Sequence, residues 1–358
     1  MRAIAIVNGT APRLADRLRA RISRALPGGV IVTRSLSEAR GAIHAEITRG
    51  VDLIALGGGD GTLVMGLSLI EEACRGAGRP EPAVAVLRLG ATNAIADAAG
   101  ATDDPADDLA RLARGEGTWR PLPMLRVLGL RAPFANLGAG AQALEDRRAV
   151  GRLVDRVPVA RRLVGASARA ALSAALRSAQ RLAAPSRPHA VISNLGAPAV
   201  EVVRGAPAGP EIAGGSDLWS GACDLIAGST IPYLGVVARA FPPGAAASLG
   251  APSSPAAASS ARESPAGSRE PSAGARADRF FLRCGDAGWP LLLRGEPAAL
   301  RRDPPAGNTR DFLCDRVQIH LSEEAAVAVG GELLGRRRHV ELALGEPALL
   351  ASLAPARR

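Results

Sequence analysis

Lysine is absent: all 44 basic residues of this 358-residue chain are arginine. That excludes a phosphate-binding loop ending in Gly-Lys-Ser/Thr, a protein-kinase fold with its strand lysine, and a lysine Schiff base to pyridoxal phosphate. Cationic help to a phosphate must come from arginine, a metal ion or backbone N–H groups. Aromatic residues are only 3%, too few for a base-stacking platform, so no nucleic-acid partner is expected despite a formal charge of +10. The cysteines, Cys74, Cys223, Cys284 and Cys314, show no C-x-x-C spacing, and His44, His189, His320 and His339 form no H-E-x-x-H. A zinc site is therefore not expected, and the thiols read as reduced and intracellular. No apolar run approaches the roughly 18 residues of a membrane span. The apolar run at the start, "AIAIV", is shorter than a signal-peptide core. The expected location is cytoplasmic, at most peripheral at the inner face of the membrane.

What is present is ordinary globular material, 47% apolar, in a length that suits two domains at roughly 150 residues each. A bias toward Arg, Ala, Gly and Pro accounts for the basic charge by composition alone, although such charge also attracts anionic partners. "RAIAIVNGT", "GGVIVTRS", "VDLIAL" and "AVAVLRLG" read as strands, alternating with helical stretches such as "PRLADRLRARISRAL" and "GTLVMGLSLIEEACR". This alternation predicts an α/β fold with a parallel sheet and helices on both faces over residues 1–122. From 123 to 344 the pattern predicts a mainly antiparallel, β-rich second domain. "MLRVLGLRAPFANLGAG" reads as a hairpin, and "HAVISNL", "AVEVVRG", "SGACDLIAGST", "YLGVVARAF", "RFFLRC" and "VQIHLSE" as short strands. Residues 147–184 are helical by propensity. The Ala/Ser/Pro/Gly-rich stretch 242–278 reads as a disordered insertion. Residues 345–358 are a terminal strand or tail that returns to the first domain.

"VDLIALGGGDGTLVMG", Val51 to Gly66, joins the third strand to the third helix. Ligands of open α/β sheets bind at such carboxyl ends of strands. Glycines there let a backbone approach a bulky anion and adopt positive φ, and the N–H groups opening the next helix favour phosphate. The dinucleotide fingerprint G-x-G-x-x-G starts at Gly57 and Gly59 but meets Thr62 where its third glycine should stand. A carboxylate beside phosphates is repulsive unless it holds Mg²⁺ or takes a proton from a nucleophile. Asp60 is therefore read as serving chemistry on a phosphate.

"GGGDGT" resembles the Gly-Gly-Asp-Gly-Thr signature of the superfamily of diacylglycerol kinases, sphingosine and ceramide kinases, and NAD kinases. "AIAIVNGTA" is similar to the family's first strand and carries over Asn8. "VIVTRSLSEA" is similar to the second and carries over Thr33. "LRLGATNAIAD" resembles the Pro-x-Gly-Thr-x-Asn-Asp-Phe-Ala loop, with Gly90 and Asn93 matching and Leu89 read at the proline. "VAVGGELLG" resembles the C-terminal Asp-Gly-Glu element, with Gly331 and Glu332 matching and Gly330 in place of the aspartate. "SGACDLIAGSTIPYLG" holds Asp224 but not the Asp-Gly pair usual in the second domain of bacterial diacylglycerol kinases.

The resemblance implies an ATP-dependent lipid kinase that phosphorylates a hydroxyl of diacylglycerol or a related lipid, with Mg²⁺ as cofactor. Gly58, Gly59, Gly61 and Thr62 would hold the phosphates, joined by Thr33, Gly90 and Thr92. Asn8 and Asn93 would fix the nucleoside end. Asp60 would be the base or the metal carboxylate, and Glu332 a second catalytic carboxylate. Arg34 and Arg88 flank the two loops, at positions that solvent-facing arginines fill equally well. The implied partner is a lipid acceptor at an anionic membrane surface, reached in part by the arginines between Arg147 and Arg181; a homodimer is left open. Two alternatives stand. One is an NAD kinase, disfavoured because Asn93 lacks an adjacent Glu. The other is a nucleotide-binding regulatory protein without transfer activity.

Overall fold

The structure is a computed structural model that describes residues 2–26, 29–90, 93–156, 188–203, 206–231, 278–286 and 308–352. The chain divides into two compact units. Unit 1 comprises residues 1–133, 329–332 and 345–358; unit 2 comprises 134–328 and 333–344.

Unit 1 runs β1 (Ala3–Asn8), α1 (Asp16–Ala25), β2 (Val30–Thr33), α2 (Leu36–Thr48), β3 (Leu53–Gly58), α3 (Asp60–Ala77), β4 (Ala83–Arg88), α4 (Ala94–Ala99), α5 (Pro105–Ala113), β5 (Thr118–Val127) and β6 (Leu130–Ala132). Strands β2-β1-β3-β4 pair in parallel in that order. Every residue of β3 is buried, as expected for a strand covered on both faces. On one face Ala5, Val7, Leu53, Ala55, Ala85 and Leu87 pack with Ile22 of α1 and Leu109 and Leu112 of α5. Helices α2 and α3 pack on each other and bury Ile43, Ile47, Leu63, Val64, Leu67 and Ile70, and the short α4 packs on α3 and β4. The helix ends follow local chemistry. The Ser35 hydroxyl accepts the Glu38 N–H to open α2, and Asp104 accepts from Ala106 and Asp107 ahead of α5, with Pro105 in its first turn. Gly78 in the left-handed region closes α3.

Unit 2 runs β7 (Phe134–Gly138), α6 (Ala139–Asp155), β8 (His189–Asn194), β9 (Ala199–Val203), β10 (Ala206–Ile212), β11 (Asp217–Ala222), β12 (Leu225–Ser229), β13 (Phe280–Asp286), β14 (Asn308–Cys314), β15 (Arg316–Val329) and β16 (Glu332–Ser352). Its sheet has the order β10-β9-β14-β13-β12-β7-β15, and β8 bridges β15 and β11. Its pairs are antiparallel wherever the register is set out, for example Ile226↔Cys284 and Leu282↔Phe312. Four of the chain's five phenylalanines, Phe134, Phe280, Phe281 and Phe312, are fully buried here. Arg283 and Asp311, directly opposite across β13 and β14, form a buried two-pronged ion pair at 2.7 Å on each prong.

The units part at Pro133/Phe134 rather than at 122/123, because the hairpin β5–β6 packs on α3. That hairpin is tighter than the sequence suggested. Its turn is Leu128-Gly129, with φ of 48° and 82°, and β7, expected as its second arm, pairs with β12 instead. Strand β16 serves both units. Its first residue, Glu332, belongs to unit 1, Leu333–Leu344 to unit 2, and its end pairs in parallel with β4 at Leu350↔Val84 in unit 1. "SGACDLIAGST" divides into β11 and β12 at Cys223-Asp224. The helix near 147 starts at Ala139. Beyond Arg156 that segment lies outside the described residues, as do "YLGVVARAF" and the insertion 242–277. Among the described residues no helix is long and apolar enough to cross a membrane.

An ion-pair hub fastens the hairpin to α3. The Glu71 carboxylate accepts two hydrogen bonds from Arg126, at 2.8 and 3.0 Å, and one from Arg75 at 2.7 Å. The Arg126 bonds foremost hold the Glu71 carboxyl below its ordinary 4.5. A carboxylate depressed on folding stabilises the fold above its unfolded value, and the contribution is lost as pH falls through the folded value. Glu71→Gln should therefore lower the thermal midpoint at neutral pH and flatten its decline between about pH 5 and 3. Melts across that range check this. A variant profile parallel to the parent's would leave the hub with no stabilising role.

Candidate active site

The carboxyl ends of the parallel strands form one row. Asn8 is in register with Thr33, Val7 with Gly57, and Gly58 with Arg88. The glycine run is not a loop. Gly57 and Gly58 end β3, and Asp60 is already the first residue of α3. Only Gly59 stands between them, extended at φ −96° and ψ −177°. Neither it nor Gly57, Gly58 or Gly61 has a positive φ, so the backbone freedom expected of these glycines is not what the fold uses. It uses their missing side chains. A Cβ on Gly58 would lie 2.5 Å from the Thr62 Cβ, and one on Gly61 would lie 2.0 Å from the Glu332 Oε1. Between a strand and a helix with no intervening loop, two polar side chains thus come in close.

Asn8 and Thr62 are joined directly, the Asn8 amide donating to the Thr62 hydroxyl at 3.1 Å. The Asn8 carbonyl oxygen accepts from the Thr10 N–H at 2.9 Å and its hydroxyl at 2.7 Å. Thr33 is buried, with its hydroxyl 3.5 Å from the Val7 carbonyl. Asn93 folds back on its own loop, accepting from the Gly90 N–H at 3.0 Å and donating to the Gly90 carbonyl at 2.9 Å. Thr92 lies outside the described residues.

Asp60 is only 3% exposed. Its two oxygens accept the backbone N–H groups of Ile95 at 2.9 Å and Ala94 at 3.2 Å. It therefore holds the start of α4, and with it the N-cap Asn93, against the start of α3. Sequence reasoning gave this residue chemistry on a phosphate and missed this employment, which links positions 34 and 35 residues apart and leaves no local pattern.

Glu332 arrives by a two-residue turn. Gly330 and Gly331, at φ 54° and 88°, both left-handed as a type I′ hairpin turn requires, connect β15 to β16. A Cβ on Gly331 would stand 3.5 Å from the Gly61 nitrogen and 3.8 Å from the Asp60 Cβ, so the turn lies on the first turn of α3. The half-buried Glu332 carboxylate is laid over Gly61. Asn8, Gly58, Asp60, Gly61, Thr62, Asn93 and Glu332 are thus brought into one connected neighbourhood within unit 1.

Two arginines border it. Arg88 is in register with Gly58, and counting back from Asn93 along Pro-x-Gly-Thr-x-Asn puts Arg88, not Leu89, at the proline position. Its guanidinium meets Asp97 at 2.7 Å. Arg34 caps nothing in this row; its N–H donates to Glu38. Burial pushes the Asp97 carboxyl up, against the pull of Arg88.

Residues 2–126 match the family model of the diacylglycerol kinase catalytic domain. That match supports a kinase. No curated protein matches the chain. Among solved structures, the chain is similar to a diacylglycerol kinase from Bacillus anthracis str. Sterne, with a TM-score of 0.58, 13% identity, and coverage of 99% of this chain and 97% of that one. A second Bacillus anthracis structure assigned to the same class gives 0.59 at 14% identity, covering 100% of this chain and 98% of its own. At such identities the likeness establishes the fold: a parallel-sheet α/β domain followed by an antiparallel β-rich one.

Proposed function

We propose that the chain transfers the terminal phosphoryl group of ATP to a hydroxyl of a lipid of the diacylglycerol class. The observation that carries the reading is the start of α3. A strand and helix abut through Gly58 and Gly59, inside the segment matched by the diacylglycerol kinase catalytic domain, and Glu332, from outside that segment, is laid over Gly61. The first N–H groups of a helix have no intrahelical acceptors and carry the positive end of its dipole, so Gly61 and Thr62 suit a phosphate. Asn8, by fixing the Thr62 hydroxyl, keeps that side chain ready for the same anion.

No group of three or more His, Cys, Asp or Glu side chains capable of holding a metal occurs among the described residues. Asp60 and Glu332 are the carboxylates at the start of α3, and they would sit beside Mg²⁺ that arrives with the nucleotide and keeps phosphate oxygens and water as most of its ligands. Bound there, Mg²⁺ supplies charge neutralisation of the transferring phosphoryl group. The Asp60 carboxyl stands beside the site while its oxygens order the start of α4. Glu332 takes the proton of the acceptor hydroxyl, a role within reach of a half-buried carboxylate at the helix start. The acceptor is met at an anionic bilayer surface, toward which the chain's +10 charge draws it. Arg147, half-buried, and Arg148, Arg152 and Arg156, exposed, are the described members of the arginine segment proposed for that contact.

The test is incubation with radiolabelled ATP and Mg²⁺ against diacylglycerol and related lipids in mixed micelles, with NAD as a parallel acceptor. Label entering lipid is the expected result. Label entering NAD instead would replace the acceptor class. Binding of ATP with label in neither would favour the nucleotide-binding regulatory reading.

A further inference from the structure

The row of strand ends carries a second feature that the phosphoryl-transfer machinery does not use. Arg88 ends β4 one strand away from Gly58. Arg13, in the segment between β1 and α1, is tied to the same place, because its N–H donates to the Leu89 carbonyl at 3.3 Å. Both guanidinium groups converge on one oxygen. Asp103 Oδ1 stands 3.5 Å from Arg88 Nε and 3.6 Å from Arg13 Nη1. Both separations exceed hydrogen-bonding distance for a charged pair. Arg88 Nε is buried and finds no hydrogen-bond partner among the described residues. Asp97 grips the far nitrogen of Arg88 at 2.7 Å and so fixes the plane of the guanidinium.

The three members differ in how firmly they are held. The Arg88 side chain is 23% exposed and clamped by Asp97, whereas the Asp103 side chain is 84% exposed and, among the described residues, meets only these two long contacts. A buried donor without an acceptor costs free energy that a better-placed oxygen would recover. An exposed carboxylate at long range is an easily displaced occupant. In a chain without lysine, an arginine pair is the side-chain cation available to phosphate at this edge, and its fork suits phosphate oxygens.

We propose that Arg88 and Arg13 form an anion subsite that takes a phosphate group of the bound nucleotide, and that the Asp103 carboxylate is its internal stand-in when ligand is absent. The inference rests on the nucleotide-binding reading of the neighbouring glycine run and adds to it a positioning pair and a built-in competitor. Phosphate binding displaces Asp103, satisfies Arg88 Nε, and leaves the Asp97 contact in place.

Removing the competitor and removing the site should act in opposite directions. By calorimetry at low salt, Asp103→Asn should tighten ATP binding about fivefold, since it removes one exposed charge within 4 Å of two cations. Arg88→Gln should weaken it about tenfold or more, through loss of a charge-assisted fork. In the Arg88→Gln background the Asp103→Asn gain should vanish. Adenosine binding should be indifferent to all three, and the Asp103→Asn gain should shrink at high salt. Asp103 is too exposed for its replacement to disturb packing, so that variant carries the test even if Arg88→Gln unfolds. Unchanged ATP affinity in Asp103→Asn, or an equal loss of adenosine and ATP affinity in Arg88→Gln, would overturn the subsite. Tripolyphosphate and inorganic phosphate are the remaining arms. If ATP does not bind but either of these shows the same opposed pattern, the subsite stands and the nucleotide reading falls. If none of the three binds the parent, both fall.

Discussion

Asp60→Asn should lower the thermal midpoint as well as abolish turnover, and the two losses should come together. In the parent both carboxylate oxygens accept backbone N–H groups, from Ile95 at 2.9 Å and Ala94 at 3.2 Å, in a site only 3% exposed. Asparagine can offer one carbonyl oxygen. Its amide must then confront the other N–H, donor against donor, away from water. A buried group left unsatisfied costs about 1–3 kcal/mol, with the loss of the charged acceptor at the upper end. In unit 1 this is a fall of several degrees, at about 2–4 °C per kcal/mol for domains of 150–250 residues. The start of α4 then loosens and its N-cap Asn93 with it. Transfer to lipid should drop by about 10² or more, the scale of a mispositioned acid–base site. Calorimetric melts beside turnover measurements decide the matter. Lost turnover at the parent's midpoint would make Asp60 a reacting carboxylate with no anchoring role. An unchanged rate would remove it from the site altogether.

The parallel domain could be read from the sequence because its information is local. Each strand of β1 to β4 is a short apolar run, each is followed by a helical stretch, and the glycine run falls at a strand end where ligands collect. Asn8, Gly58, Gly61, Thr62, Asn93 and Glu332 were all named from motifs, and the fold gathers them in one neighbourhood. What could not be read is the use made of each. Gly61 looks like a residue chosen for its backbone, yet its φ is not positive and its missing Cβ makes room for Glu332, which enters from the far end of the chain. Asp60 reads from the sequence as an acid serving a phosphate, and its hold on the start of α4 shows only once α4 is placed against it. Arg88 reads, beside Arg34, as a loop-flanking arginine that solvent exposure explains equally well, and the register Gly58↔Arg88 with its clamp by Asp97 is what separates the two. The unit boundary was displaced for the same reason. Whether the β5–β6 hairpin belongs to what precedes or follows it depends on its ion pairs to Glu71 on α3, and periodicity does not report those.

The departure at Gly330 yields the second large effect. The family resemblance expects an aspartate there, so Gly330→Asp would restore the motif, and the structure says that it should damage this protein. Gly330 has φ 54°, and a Cβ built on it would lie 2.1 Å from the Val64 Cγ2 and 3.0 Å from the Val64 Cβ. Val64 is fully buried in α3 and cannot swing into solvent. Backbone conformation is the smaller part of the cost, since aspartate tolerates the left-handed region better than most residues. The overlap is the larger part. Forcing extra atoms into a packed interior costs about 1–3 kcal/mol, and here the atoms include a carboxylate that would be buried. Because the turn lies on the first turn of α3, relief by moving the turn would carry Glu332 away from Gly61. Stability and phosphoryl transfer should therefore both fall, transfer by at least tenfold as the carboxylate is misplaced. Val64→Ala removes the Cγ2 and alone should cost about 1–2 kcal/mol as a small cavity. Combined with Gly330→Asp it should recover much of the loss, so that the double variant is more stable than the sum of the singles. Equilibrium unfolding of the four proteins in urea reads that coupling directly. If Gly330→Asp matches the parent in midpoint and transfer rate, the glycine is a neutral substitution. If the double variant is simply additive, Val64 is not what excludes the aspartate.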